Sequence, residues 1–383
     1  MKILITGANG FIGKNLVAEL KNKRIKDEKE NGKSIIGTIF EYDRDTNPEL
    51  LDVYVKQCDF IYHLAGVNRP DNNEEYRIGN VGFTESLLEK LKKQRRKIPI
   101  LFASSIQAKM DNSYGISKKV SEILLFKYAK ENGSTVLVYR FPNVFGKWCR
   151  PNYNSAVATF CYNSARNNPI CVNDPEVLMH LVYIDDLVEE LINALYGKEH
   201  QDENDHNFCS VSVVKNIKLG QIVTLINSFQ TGRKTLEIPK LNDPFIKKLY
   251  ATFISYLPED KLSDPLKINK DVRGSFTEFI KTDDRGQVSI NVLKPGITKG
   301  NHWHHTKTEK FLVVKGQAII RLRKIGNDHI ICYHVDDTNF ESINIPPGYV
   351  HNLTNEGCED TITVMWASET FDPDKPDTYA LEV

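Results

Sequence analysis

The chain has 383 residues, with 50 basic and 50 acidic side chains, so it lacks the basic excess that marks a nucleic-acid or anionic-membrane partner. Its length exceeds one ordinary core and predicts two domains. The seven cysteines show no C-x-x-C spacing, which argues against a thiolate zinc site or a disulfide framework and for reduced thiols in the cytoplasm. The N-terminus turns glycine-rich too early for a signal-peptide core, and no apolar run approaches the roughly 18 residues of a membrane span.

Short apolar runs at 2–5, 34–40, 60–64, 100–102 and 136–139 alternate with stretches of helical period up to about residue 195. That alternation predicts a parallel sheet covered on both faces. The charge-dense stretch 21–33 reads as a surface extension between a first helix over 14–21 and the second strand. Between 204 and 257 the pattern is mixed; Pro239, Pro244 and Pro258 break any long helix, and the region is expected to complete the first domain. Beyond about residue 271 short runs rich in Val, Ile and Phe, separated by Gly- and Pro-containing turns, predict an all-β sandwich or barrel. The expected domains are 1–260 and 266–383.

The first strand leads into Thr6-Gly7-Ala8-Asn9-Gly10-Phe11-Ile12-Gly13 and then a helix. Glycines at a strand-to-helix turn let the backbone approach a pyrophosphate, which the helix N-terminus then faces. Farther on, Ser104-Ser105 ends a strand, and Tyr114 and Lys118, four apart, share one face of a helix running to about residue 132. A lysine beside a phenol favours its ionised form and lowers a pKa ordinarily near 10.

These motifs, with spacing GxxGxxG, resemble the extended short-chain dehydrogenase/reductases that act on nucleotide sugars. The resemblance implies that Ser105, preferred to Ser104, holds the substrate carbonyl, that Tyr114 protonates its oxygen, and that Lys118 also holds the nicotinamide ribose. It implies further cofactor contacts at Thr6, Gly7, Gly10, Phe11, Ile12, Gly13, Leu64, Ala65, Gly66 and Asn80, and substrate contacts at Arg140 and Asn143. Tyr183-Ile184-Asp185-Asp186 matches a family motif and equally suits the start of a helix. At the end of the second strand a carboxylate would take a ribose 2′-hydroxyl and an arginine a 2′-phosphate; Arg44 favours NADPH.

A second constellation lies downstream: Gly296, His302, His304, Glu309 and Gly316, then Pro346-Pro347-Gly348 and His351. His302 and His304, two apart on a strand, leave one face, and Glu309 and His351 complete a set of three imidazoles and a carboxylate suited to a divalent metal, Zn²⁺ foremost. His305 should point away from them. The order and spacing resemble the two cupin motifs, with Phe340 where a glycine is usual. The expected architecture is therefore a Rossmann-type doubly wound α/β sheet followed by a cupin jelly-roll barrel.

A ketone that accepts hydride also acidifies its neighbouring C–H bond, so one carbonyl can serve both halves. Over nearly its full length, including Gly146-Lys-Trp-Cys-Arg-Pro-Asn-Tyr-Asn154 and Asp271-Val-Arg-Gly-Ser-Phe-Thr-Glu-Phe279, the chain resembles the bifunctional capsular-polysaccharide enzymes of UDP-N-acetyl-L-fucosamine synthesis. That resemblance implies a homodimer acting on a UDP-2-acetamido-2,6-dideoxy-4-hexulose, epimerised at C3 by the cupin half and reduced at C4 by the NADPH half. The alternative is a reductase whose cupin half only dimerises and stabilises.

Overall fold

The computed structural model describes residues 1–70 and 72–383. Contacts divide the chain into one unit comprising Met1–Ile226 and Ala251–Leu257, and another comprising Asn227–Tyr250 and Pro258–Val383. Thus 227–250, expected in the first domain, packs with the second unit.

The first unit opens with β1 (Ile3–Thr6), α1 (Phe11–Asn31), β2 (Ile39–Tyr42), α2 (Glu49–Gln57), β3 (Phe60–His63) and a single helical turn, α3 (Glu74–Tyr76). A π-helical turn (Arg77–Gly82) leads into α4 (Phe83–Gln94), followed by β4 (Ile100–Ser105), α5 (Ser113–Asn132) and β5 (Val136–Phe141). The five strands form one parallel sheet in the order β2-β1-β3-β4-β5. Alternation along each strand supplies two cores: Ile3, Ile5, Leu101 and Ala103 join one cluster with α1, whereas Leu4, Ile100 and Phe102 join another with α2, α4 and α5. The unit continues through β6 (Asn143–Phe145), α6 (Ala156–Ala165), β7 (Leu178–Tyr183), α7 (Ile184–Leu195) and β8 (Lys215–Lys218); β6, β7 and β8 make a small second sheet.

One expectation is corrected. The charged stretch after residue 21 is no surface extension: α1 runs on to Asn31, because Lys, Glu, Arg and Asp tolerate a solvated helix with pairs such as Lys26–Glu30. It stops at Gly32, which takes the left-handed conformation (φ 71°), so the second strand begins only at Ile39. The prolines do interrupt the helices as expected: α8 (Leu219–Thr235) ends before Pro239, and α9 (Pro244–Ser255) ends before Pro258 and has Pro244 at its first position, where its missing N–H costs nothing.

The second unit is an antiparallel double sheet. Its strands are β9 (Ile268–Asp271), β10 (Gly274–Thr282), β11 (Gly286–Leu293), β12 (Thr298–Trp303), β13 (Glu309–Lys315), β14 (Gln317–Lys324), β15 (Ile330–Asp336), β16 (Ser342–Ile345), β17 (Tyr349–Asn355), β18 (Thr361–Ala367) and β19 (Tyr379–Ala380). One sheet runs β16-β13-β18-β11-β10-β9 and the other β15-β14-β17-β12-β19. Leu293, Phe311, Val313, Ile320, Leu322, Ile343 and Leu353 fill the space between them, the jelly-roll arrangement of a cupin.

Candidate active site and candidate metal centre

Gly7 adopts φ 73°, and a Cβ there would lie 2.7 Å from the Ala65 amide nitrogen; one at Gly13 would lie 2.1 Å from the Gly7 carbonyl oxygen. The loop after β1 and the first turn of α1 can approach this closely only without side chains. No side chain caps α1, so its first N–H groups point outward from the loop carrying Gly10, Phe11 and Ile12. This is a cradle of the kind a pyrophosphate occupies, and it fits a dinucleotide.

Beside it, Asp43 follows the last residue of β2, and its carboxylate accepts the backbone N–H groups of Asn9 (2.7 Å) and Arg44 (2.7 Å). The Arg44 side chain is exposed and has no partner among the described residues.

Behind the cradle, His63 is buried between the hydroxyls of Thr6 (2.9 Å) and Thr84 (3.0 Å); burial, then the charge of Lys118, pushes it down to about 3, so it is neutral. Asn80, in the π-helical turn, accepts the Val67 N–H (2.7 Å) and donates to the Val67 carbonyl (3.2 Å) and to Ser117 Oγ (2.8 Å). It thereby ties the loop carrying Leu64, Ala65 and Gly66 to α5.

The Asn112 side chain caps α5 by accepting the Gly115 N–H at 2.8 Å, which places Tyr114 in the first turn and Lys118 one turn later. The Ser105 hydroxyl accepts the Gln107 N–H at 3.2 Å and lies near enough to the Tyr114 phenol to favour its ionised form. Ser104 faces elsewhere: its hydroxyl donates to the buried Glu122 at 2.5 Å. The two serines alternate, as adjacent strand residues must. Burial drives Tyr114 up to about 12, the Ser105 hydroxyl opposing it, and drives Lys118 down to about 8, Glu122 opposing it.

Arg140, an expected substrate contact, is engaged within the protein. Its guanidinium binds Glu122 through Nε (2.9 Å) and Nη2 (2.5 Å) and stacks on Phe208 at 3.8 Å. Register explains this, since Arg140 is the β5 partner of the inward-facing Ser104. Asn143 opens β6, half-buried, and the Tyr183 segment starts α7, with Asp185 held by Lys147. Tyr76, missing from any motif, stands 5.8 Å from Tyr114, ring to ring.

In the second unit, the ligand atoms of His302, His304, Glu309 and His351 lie within 4.8 Å of one another. Glu309 Oε2 is 3.2 Å from both His304 Nε2 and His351 Nε2, yet these three buried atoms have no hydrogen-bond partner. Donors held about 2.1 Å from a common ion stand about 3.0 to 3.4 Å apart, so the set fits a divalent metal. Burial, then His351, pushes His302 down to about 4, leaving the neutral imidazole that ligates. His304 Nδ1 faces the Asp377 carbonyl at 2.6 Å, which directs Nε2 at the centre. β12 bulges between Gly300 and His302, with Asn301 at φ 57°, and ends at Trp303, so His304 lies just past the strand. His305 is exposed and packs on Trp303 and Tyr379.

A serine and a tyrosine set to bind one carbonyl oxygen, beside a dinucleotide cradle, suit hydride transfer to or from a ketone. Residues 3–209 match the NAD dependent epimerase/dehydratase family, and the chain belongs to it. Residues 269–379 match the polysaccharide biosynthesis C-terminal domain.

The chain is 42% identical, over 100% of its length and 99% of the other, to UDP-2-acetamido-2,6-beta-L-arabino-hexul-4-ose reductase of Pseudomonas aeruginosa. Among solved structures it resembles the capsular polysaccharide assembling protein CapF of Staphylococcus aureus, at 50% identity and TM-score 0.90 over all of both chains. A CapF structure with the inhibitor 3-isopropenyl-tropolone aligns over all of both chains at 46% identity and TM-score 0.87. No helix of the described residues is long and apolar enough to cross a membrane.

Proposed function

We propose that this chain is a bifunctional enzyme of capsule or O-antigen synthesis that acts on a UDP-2-acetamido-2,6-dideoxy-4-hexulose. The second unit inverts C3 and the first reduces the C4 ketone, giving a UDP-N-acetyl-6-deoxy-talosamine-type sugar. The observation that carries this reading is the presence, in one chain, of two different sites that each suit the chemistry of one ketone.

In the reduction, Ser105 holds the ketone oxygen while Tyr114 gives it a proton, and Lys118 holds the nicotinamide ribose and keeps positive charge near the phenol. NADPH, when bound, supplies the hydride; Arg44, exposed beside the cradle, supports the phosphorylated cofactor. In the epimerisation, the C3 proton leaves, the electron pair spreads onto the C4 oxygen, and a proton returns on the opposite face. A divalent ion, Zn²⁺ foremost, held by His302, His304, Glu309 and His351, supplies positive charge beside that oxygen when bound. The tropolone inhibitor of CapF supports the metal, since a tropolone's adjacent oxygens form a bidentate donor pair.

The test is incubation with the 4-hexulose in D₂O without NADPH, followed by NMR. Deuterium should enter at C3, and Tyr114→Phe should retain this exchange while losing NADPH oxidation. Absence of exchange from metal-loaded protein sinks the epimerase. The name of the Pseudomonas relative, a reductase, favours the second reading, in which the barrel only stabilises a cytoplasmic homodimer; that reading predicts no exchange.

A further inference from the structure

The candidate metal centre is braced by a segment that carries none of its ligands. The Asp377 carboxylate accepts the backbone N–H of His305 through Oδ1, and through Oδ2 the N–H groups of Thr306 and Lys307, each at 2.9 Å, as well as the Thr306 hydroxyl at 3.1 Å. Three successive N–H groups converging on one carboxylate fix the conformation of the turn between His304 and Glu309. The same residue's carbonyl oxygen faces His304 Nδ1 at 2.6 Å, and Asp377 holds φ 36°.

Neighbours of Asp377 extend the grip. Lys307 Nζ donates to the Pro376 carbonyl (2.8 Å) and to Thr378 Oγ1 (3.0 Å). Tyr379 and Ala380 pair with Trp303 and His302, and the Leu381 N–H donates to the carbonyl of the bulged Asn301 (3.0 Å). Both ends of the His302–His304 segment are therefore held by one short strap.

We propose that Asp377 is a positioning residue for the metal centre: its carboxylate sets the turn between the ligands, and its carbonyl fixes the His304 tautomer and ring orientation. The inference rests on the metal reading above. Removing the carboxylate releases the turn and the carbonyl together, so the loss falls on metal affinity and coordination geometry. Hydrogen-bonded partners of metal-bound histidines typically change affinity by about 10- to 100-fold when removed.

The experiment uses the full-length chain, stripped of metal, and titrates Zn²⁺ in competition with a chromophoric chelator. The visible absorption of a Co²⁺-loaded sample reports the geometry. Asp377→Ala should weaken zinc about 10- to 100-fold and alter the cobalt bands. Asp377→Gly should do the same, because it permits the backbone angle but lacks the carboxylate. Asp377→Asn, which keeps the shape and one acceptor oxygen, should lose roughly tenfold; its unchanged metal-free melting temperature would certify the fold and decide the matter should the alanine variant not fold. Variants that bind zinc as tightly as the parent, with the same cobalt spectrum, overturn the role of Asp377. A parent chain that takes up no zinc instead overturns the metal reading itself.

Discussion

Lys118 holds its ammonium 5.9 Å from the centre of the Tyr114 ring while donating to the Ala103 carbonyl at 2.9 Å. Burial moves the two groups' pKa values apart, the phenol up to about 12 and the ammonium down to about 8. Across neutral pH the tyrosine therefore stays a proton donor, and lysine is the group that changes charge. Ketone reduction is expected to be flat in acid and to fall as pH rises through about 8, roughly tenfold per unit. Lys118→Arg, which stays charged, should remove that fall from the kcat/KM profile. A fall that persists in the variant would assign it to another group.

The same burial predicts a variant that is more stable and less active. The folded-state pKa of Lys118 lies below the value of about 10.4 in an unfolded chain, so protons bind the unfolded state better. Its destabilising effect is therefore fullest below about pH 8 and fades as pH rises toward the unfolded value. At neutral pH Lys118→Met should raise stability by the order of 1 to 3 kcal/mol, seen as a higher melting temperature, while abolishing NADPH oxidation. A lower melting temperature would contradict this.

Adjacent serines should separate catalysis from stability. Ser105→Ala removes the hydroxyl beside Tyr114 and should lower kcat about 10²- to 10³-fold with little change in melting. Ser104→Ala strips a partner from the buried Glu122 and should cost about 1 to 2 kcal/mol with kcat nearly retained. Steady-state kinetics and thermal melts on both variants check the pair; a larger kcat loss in Ser104→Ala would reverse the roles.

Cofactor choice is tested at Arg44. The Asp43 carboxylate is occupied by the Asn9 and Arg44 amides, and on the proposed reading the exposed guanidinium meets a 2′-phosphate. Arg44→Ala should lower kcat/KM for NADPH by about tenfold or more and leave NADH nearly unaffected. Equal values for both cofactors in the parent chain would end this assignment.

Much of the fold was legible because period and punctuation agreed. The five parallel strands read as apolar runs, and the barrel as short runs between glycine turns. The extension of α1 to Asn31 was hidden, since a solvated helix without an apolar stripe looks like a charged loop. Ser105, Tyr114, Lys118 and the four histidine and glutamate residues stood out because each motif compresses its geometry into a short spacing. At Arg140 the sequence shows a cation but not the Glu122 that engages it from another element. Asp377 and Tyr76 left no trace, because each reaches its site through tertiary contact from outside any motif.

Asn80 joins the loop after β3 to α5 through one side chain, with Val67 on one side and Ser117 on the other. Anything that steadies that loop is thus felt at once in the helix turn bearing Tyr114 and Lys118. Amide hydrogen exchange over 113–118 should slow when a dinucleotide is added, so that cofactor arriving on one side of Asn80 would stiffen the turn on the other.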